Sequence, residues 1–234
     1  MTRFLFEPPQ VRAVPVVGED AVYPVHRVFC VGRNYVEHAR EMGQEVDREK
    51  PFYFTKSALA VTATGSTVPY PPGTDNFHYE MELVVALGAP AFRATVEQGM
   101  AAVFGYACGL DMTRRDLQLS ERAKQRPWDL GKDVENSAVV APITKAAEFG
   151  AVGPQRIWLS LNGTVKQDAT LDDLVWKVGE IVSHLSHFYH LGAGDLIFTG
   201  TPAGVGPVVA GDAIEGGIDG LTEIALAIGP AEQA

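Results

Sequence analysis

Glu80 and Glu82 stand two residues apart at the head of His78–Leu87, a segment whose second half is wholly apolar. Such a run predicts a buried strand. Alternate residues of a strand share a face, so both carboxylates point the same way. Side by side at the head of a buried strand they repel each other and are costly to desolvate. Three arrangements relieve that cost: water at the strand end, pairing with basic side chains, or a cation between the acids. Asp111 closes the apolar run Val103–Leu110 and is a third candidate oxygen donor. An acidic set without histidine or thiolate suits a hard cation, Mg²⁺, Mn²⁺ or Ca²⁺. On residue types alone, the solvent and cation readings both stay open.

A second group could move protons. His38 and Glu41 are three apart in a predicted short helix over 34–43, with Asn34 as N-cap and Gly43 as stop. A carboxylate beside an imidazole can orient the ring for acid/base work; the competing reading is an ordinary surface pair. Flanked by Gly32 and Gly43, and followed by the polar stretch Glu45–Lys50, this helix could serve as a lid. Lys56 ends a predicted strand from Pro51, and Lys132 lies in the turn Gly131-Lys132-Asp133. A helix is predicted to open at Thr113, with Thr113 as cap, Asp116 completing a capping box, and Arg115 and Gln118 on one face. The loop Gly200–Gly206 could cradle an anion with backbone N–H groups, but it has neither a phosphate-loop lysine nor GxGxxG.

The elements that must hold these groups are mostly strands. The 234-residue chain is 46% hydrophobic and 21% charged, with 24 glycines and 15 prolines between short apolar runs. That spacing predicts many turns and a β-rich fold. Asn162-Gly163 between two alternating runs predicts a type I′ hairpin. Thr95 is expected to cap a helix to Met100. A longer helix is expected over Leu174–Leu191, burying Ile181, Val182, Leu185, Phe188 and Tyr189 and turning His184, His187 and His190 to solvent. Cys30 and Cys108 lie in apolar runs and read as buried free thiols. The net charge of −10 and the lack of a basic stripe argue against a nucleic-acid partner. No apolar run is long enough to span a bilayer and the N-terminus lacks a signal peptide's apolar core, so a cytoplasmic protein without membrane attachment is expected.

Five ordered motifs carry a resemblance. They are Gly32-Arg-Asn-Tyr…His38-Ala-Arg-Glu41-Met, His78-Tyr-Glu-Met-Glu82-Leu, Gly109-Leu-Asp-Met-Thr-Arg-Arg-Asp-Leu-Gln118, Pro127-Trp…Gly131-Lys132, and Thr199-Gly-Thr-Pro-Ala-Gly-Val-Gly206. Together, over residues 27 to 228, they resemble the fumarylacetoacetate hydrolase family. The resemblance implies an α+β, β-rich fold: a mixed β-roll or β-sandwich core with short peripheral helices, usually as a homodimer. Residues 1–26, broken by four prolines, read as a small N-terminal strand region and 230–234 as a loose tail, and the resemblance makes 27–229 the catalytic domain. It further implies Mg²⁺ or Mn²⁺ on Glu80, Glu82 and Asp111, with Ca²⁺ a possible crystal substitute, and catalytic roles for His38, Glu41 and Lys132. Arg33, Lys56, Arg115, Gln118 and Thr201 fall at substrate-contacting positions. Phe-Tyr-Phe-Thr-Lys56 and Arg126-Pro-Trp-Asp-Leu-Gly-Lys-Asp133 look most like members that act on fumarylpyruvate. The implied reaction is hydrolysis of a C–C bond in a 3-acylpyruvate, a small 2-oxo acid, as in gentisate-type aromatic degradation. Acylpyruvase or oxaloacetate decarboxylase chemistry on the same scaffold is the alternative, and a cation-stabilised binding module the non-enzymatic rival. Tyr79, Ser57 and Asp133 depart from residues common in the family, where His, Pro, and Ser or Gly are frequent.

Overall fold

Pairing order explains how distant acids meet. A computed structural model describes residues 3–43 and 48–232. Its central eight-stranded mixed sheet runs Tyr53–Lys56, Arg27–Val31, Asp195–Phe198, Met81–Leu87, Val103–Asp111, Ala138–Val140, Val61–Ala63, with Thr144–Lys145 also on Val103–Asp111. A five-stranded sheet packs over one face: Thr164–Thr170, Arg156–Leu161, Ala213–Ile218, Ile224–Gly229, Ser66–Pro69. A small three-stranded sheet joins Thr113–Arg114, Phe77–Tyr79 and Gly206–Val208. The predicted β-rich α+β fold is the one observed, with six short α-helices and two 3₁₀ turns among the described residues.

The larger core lies between the two main sheets, where Leu83, Val85, Tyr106 and Cys108 meet Ile157, Leu159, Ile214 and Leu226. The opposite face of the central sheet is also covered. There Val84, Ala86, Cys30 and Phe198 meet Val14, Val16, Tyr23 and Val25 around the N-terminal hairpin of Ala13–Pro15 and Val22–Pro24. Burial on both faces is why Met81–Leu87 reads as a run without alternation. Cys30 and Cys108 are free and buried as expected, and burial pushes both thiols up, Cys108 to about 12.

Local signals fared unequally. Asn162 and Gly163 both take positive φ, as a type I′ hairpin requires. Thr95 caps Val96–Ala101 in a complete capping box with Gln98. Three helix boundaries need correction. The lid helix spans Val36–Glu41 with Tyr35 at its N-cap, because the Asn34 side chain instead bonds Trp176 N, Trp176 O and Thr199 O. Thr113 is a strand residue, and the helix runs Arg115–Ala123. Asp116 accepts from Thr74 Oγ1 and Asp75 N rather than closing a capping box. The helix expected over Leu174–Leu191 is only Val178–Ser186, so Phe188 and Tyr189 lie beyond it and are exposed. Of its three histidines, His187 and His190 face solvent as expected, the latter stacked on exposed Phe92, while His184 is half-buried with Nδ1 3.1 Å from Tyr53 Oη. The expected mobile stretch Glu45–Lys50 and loose tail 230–234 fall partly outside the described residues. Among the described residues no helix is long and apolar enough to cross a membrane.

Candidate active site

The strand expected over His78–Leu87 is two strands, Phe77–Tyr79 and Met81–Leu87, in different sheets. Its partner breaks at the same level: Val103–Asp111 stays in the central sheet while Thr113–Arg114 passes into the small one. Glu80 and Met112 are the crossing points. Backbone donors freed at the crossing find partners, Met81 N on Gln167 Oε1 at 2.9 Å and Met112 N on Ser137 O at 2.8 Å. Asp111 N donates to Glu80 O at 2.9 Å, which sets Asp111 beside Glu80. Glu80, Glu82 and Asp111 therefore converge, with one carboxylate oxygen of each within 4.8 Å of the others.

Of the three arrangements the sequence allowed, solvent is excluded: Glu80, Glu82 and Asp111 are 4%, 2% and 0% exposed. Basic pairing is present but incomplete. Lys132 Nζ reaches Glu80 Oε2, Asp111 Oδ2 and Thr113 Oγ1, each at 2.7 Å. Arg115 Nη2 donates to Glu80 Oε1, and its Nη1 to Gln118 Oε1 at 2.5 Å. Lys56 Nζ lies 2.9 Å from Asp111 Oδ1 but directs its protons at Met112 O, Lys132 O and Ser137 Oγ. Asp111 Oδ1 is thus buried beside a cation without a well-formed hydrogen bond.

Among the described residues Glu82 has no cationic partner in contact; Gly200 N donates to it at 2.7 Å. Burial, then Asp111 and Glu80, push its carboxyl well up. Burial would raise Glu80 too, but Lys132 and Arg115 outweigh it and hold that group below the usual range. Lys132 is itself raised: burial opposes its charge, and Asp111 and Glu80 prevail. An incompletely compensated trio of buried oxygen donors fits a divalent hard cation.

The helix expected to act as a lid borders the same cleft as Glu80. His38 is 5% exposed and lines a cleft with Glu80, Arg115, Gln118, Lys132 and Arg33. Its Nδ1 lies 3.5 Å from Glu41 Oε2, at the outer limit of a hydrogen bond. Glu41 is held in turn by Gly204 N at 3.1 and 3.3 Å to its two oxygens. The glycine-rich loop thus cradles anions, as its composition suggested, and they are this chain's own Glu82 and Glu41. His38 first, then the Gly204 N–H, overcome burial and lower the Glu41 carboxyl.

The remaining expected residues divide. Arg33 packs its guanidinium over Phe52, with 5.8 Å to the ring centroid, and faces the cleft. Lys56 lies behind Asp111 with no side-chain exposure. Thr201 is buried and accepts from Gln167 Nε2 at 2.8 Å. Gly131 is needed for close approach: a Cβ there would sit 2.7 Å from Gln118 N and Cβ. That contact seats Asp129–Lys132 on Arg115–Ala123 and delivers Lys132 to the acids.

Sequence reasoning missed Gln167. It is fully buried, the one buried residue of its strand, and bonds Met81 N, Thr201 Oγ1 and Pro202 O. One side chain thereby ties the peptide between two candidate ligands to the glycine-rich loop. The only sequence signal was a polar residue on the inward register of that strand.

Comparison with known proteins agrees with this architecture. The family described as "Fumarylacetoacetate (FAA) hydrolase C-terminal" matches residues 27–228. A fumarylpyruvate hydrolase of a Ralstonia species is 52% identical over 197 residues, covering 82% of this chain and 100% of that protein. An oxaloacetate tautomerase of Escherichia coli (strain K12) is 38% identical over 200 residues, covering 85% of this chain and 90% of that protein. The crystal structure of a fumarylpyruvate hydrolase from Pseudomonas aeruginosa, in complex with Mn²⁺ and pyruvate, superposes with a TM-score of 0.94. It is 46% identical and covers 97% of this chain and 100% of that one. This chain belongs to the fumarylacetoacetate hydrolase family.

Proposed function

We propose that the protein hydrolyses the C–C bond of a 3-acylpyruvate, fumarylpyruvate first, giving fumarate and pyruvate, with Mn²⁺ or Mg²⁺ on Glu80, Glu82 and Asp111. The observation that carries this reading is that His38, with Glu41 beside it, and Glu80, the outermost acid of the buried trio, line one cleft. The relatives of that activity, at 52% and 46% identity, support the choice of substrate.

When bound, the cation would supply a Lewis acid for the 2-oxo and carboxylate oxygens of the substrate. Glu41 faces His38 Nδ1, which leaves Nε2 to take a proton from water. The hydroxide so formed adds to the carbonyl carbon of the acyl group. That carbon then parts from the pyruvyl methylene, and the bonding electron pair leaves as the enolate of pyruvate. Lys132 stands beside the acids to stabilise the developing charge. The proton held by His38 returns to the methylene carbon. The water oxygen ends in the fumarate carboxylate, whose proton is lost to solvent.

A second reading, tautomerisation of oxaloacetate, is favoured by the 38% identical relative with that name. It needs the same enolate stabilisation but no attacking water. The test is incubation of the purified protein with each substrate and MnCl₂, measuring pyruvate, fumarate and the keto–enol ratio. Stoichiometric fumarate and pyruvate, abolished by EDTA and restored by Mn²⁺, is the expected result. Oxaloacetate tautomerisation with no cleavage of fumarylpyruvate would overturn it.

A further inference from the structure

Arg115, Gln118 and Arg122 are three and four residues apart on the helix Arg115–Ala123, so they form one stripe. All three line the cleft beneath the lid. The first two already have partners in the structure, Arg115 on Glu80 and Gln118 on Arg115. Arg122 differs. Among the described residues its guanidinium has no ion pair or hydrogen bond; neighbouring Glu121 faces Arg126 instead. Of the cations on the cleft wall, Arg115 and Lys132 already engage its one acid, Glu80, while Arg122 pairs with none among the described residues. A substrate with a single carboxylate, directed to the acid trio, would leave that outer positive charge unmatched.

We infer that Arg122 is a specificity residue: it receives the second carboxylate of a dicarboxylic acylpyruvate, the one remote from the scissile bond. This rests on the acylpyruvate reading above and extends it to the far end of the substrate. The lengths agree. Arg122 lies seven residues beyond Arg115, about 10 Å along the helix. The carboxylates of an extended seven-carbon acylpyruvate are about 7–8 Å apart from bond lengths alone, and the guanidinium has a long flexible reach. Trp128 and Met42, which also line the cleft, offer apolar surface to the unsaturated carbons between. Arginine suits the task, since its fork matches a carboxylate bidentately.

The test compares fumarylpyruvate with acetylpyruvate, whose acyl group ends in a methyl, in the Mn²⁺-loaded wild type, Arg122→Gln and Arg122→Lys. For Arg122→Gln the ratio of kcat/KM between the two substrates is expected to fall by about 10- to 100-fold. The change should lie in KM for fumarylpyruvate, with Arg122→Lys recovering part of it. Calorimetric titration with fumarate should weaken in parallel, a readout independent of turnover, and thermal melts of all three proteins report folding. A ratio kept within twofold while wild type cleaves fumarylpyruvate would overturn Arg122 alone. Failure of wild type to cleave fumarylpyruvate would overturn the functional reading, and this inference with it.

Discussion

The two halves of the site are held in opposite ways. The acid trio sits on and beside central-sheet strands buried on both faces, and Met81 N, Asp111 N and Met112 N beside it are each engaged. The lid is a six-residue helix with no side-chain N-cap, and helices so short are marginal without tertiary contacts. Its N-terminal end is anchored, Tyr35 bridging to Leu174 and Asn34 bonding Trp176 and Thr199. Its C-terminal end is held by the Glu41 carboxylate on Gly204, and the Glu41 side chain is 36% exposed. Chelation rewards ligands fixed in advance, whereas a group that meets substrate from above must let it in. On the proposed reading the buried sheet carries the first task, and a short helix held by a few polar contacts at each end carries the second.

That contrast breaks if the two halves cannot be disabled separately. The largest effect is expected from Glu82→Gln, which removes the acid that lacks a cationic partner. Mn²⁺ affinity by calorimetry should fall by more than about 100-fold, beyond the loss usual for residues that only support ligands, and turnover should fall with it. His38→Ala should lower kcat by about 10²- to 10⁴-fold while Mn²⁺ affinity stays within about threefold. Loss of metal binding in His38→Ala would show that lid and cradle are one unit.

The same division decided what could be read from the sequence. The rigid half was legible because burial, apolar runs and acids at strand ends are local signals, and Glu80, Glu82 and Asp111 all followed from them. What local signals could not show is the sheet-to-sheet crossing at Glu80, which depends on where Thr113–Arg114 finds its partner. Caps at Asn34 and Thr113 failed for a related reason. Each side chain had another partner, Trp176 and Thr199 far along the chain for Asn34, and for Thr113 the nearby Asp111 O and the distant Lys132. Gln167 was invisible because its importance lies in the two segments it touches, 34 and 86 residues away.

Gln167 also tests whether the cradle is rigid by itself or because it is braced. In Gln167→Ala, Met81 N–H and Pro202 C=O lose a buried partner, at about 1–3 kcal/mol for each unsatisfied group. Thermal melting should move down by several degrees. If the brace positions the ligands, Mn²⁺ affinity should also weaken by about 10- to 100-fold. A lowered melting temperature with unchanged Mn²⁺ affinity would make Gln167 a packing residue only.

The smallest effect is a pH dependence beside the crossing. His78 is half-buried in the three-stranded sheet, its Nε2 2.8 Å from Asn76 Oδ1 and its buried Nδ1 without a partner among the described residues. Burial first, then the Arg115 charge, lower its pKa to about 4, against a weaker opposing pull from Glu80. In the unfolded chain the ring protonates near its ordinary value of about 6.5. Between about pH 6.5 and 4 the unfolded state therefore binds more protons, so stability declines as the pH falls through that window. Below it both states are protonated and this group adds no further loss. Because the ring is partly exposed, solvent screening reduces the effect, and a Tm difference of about 2–4 °C is the expected scale. Melts of wild type and His78→Gln in EDTA hold the metal contribution constant. The drop in Tm from pH 7 to pH 5 should be smaller in the variant; equal drops would place the acid sensitivity elsewhere.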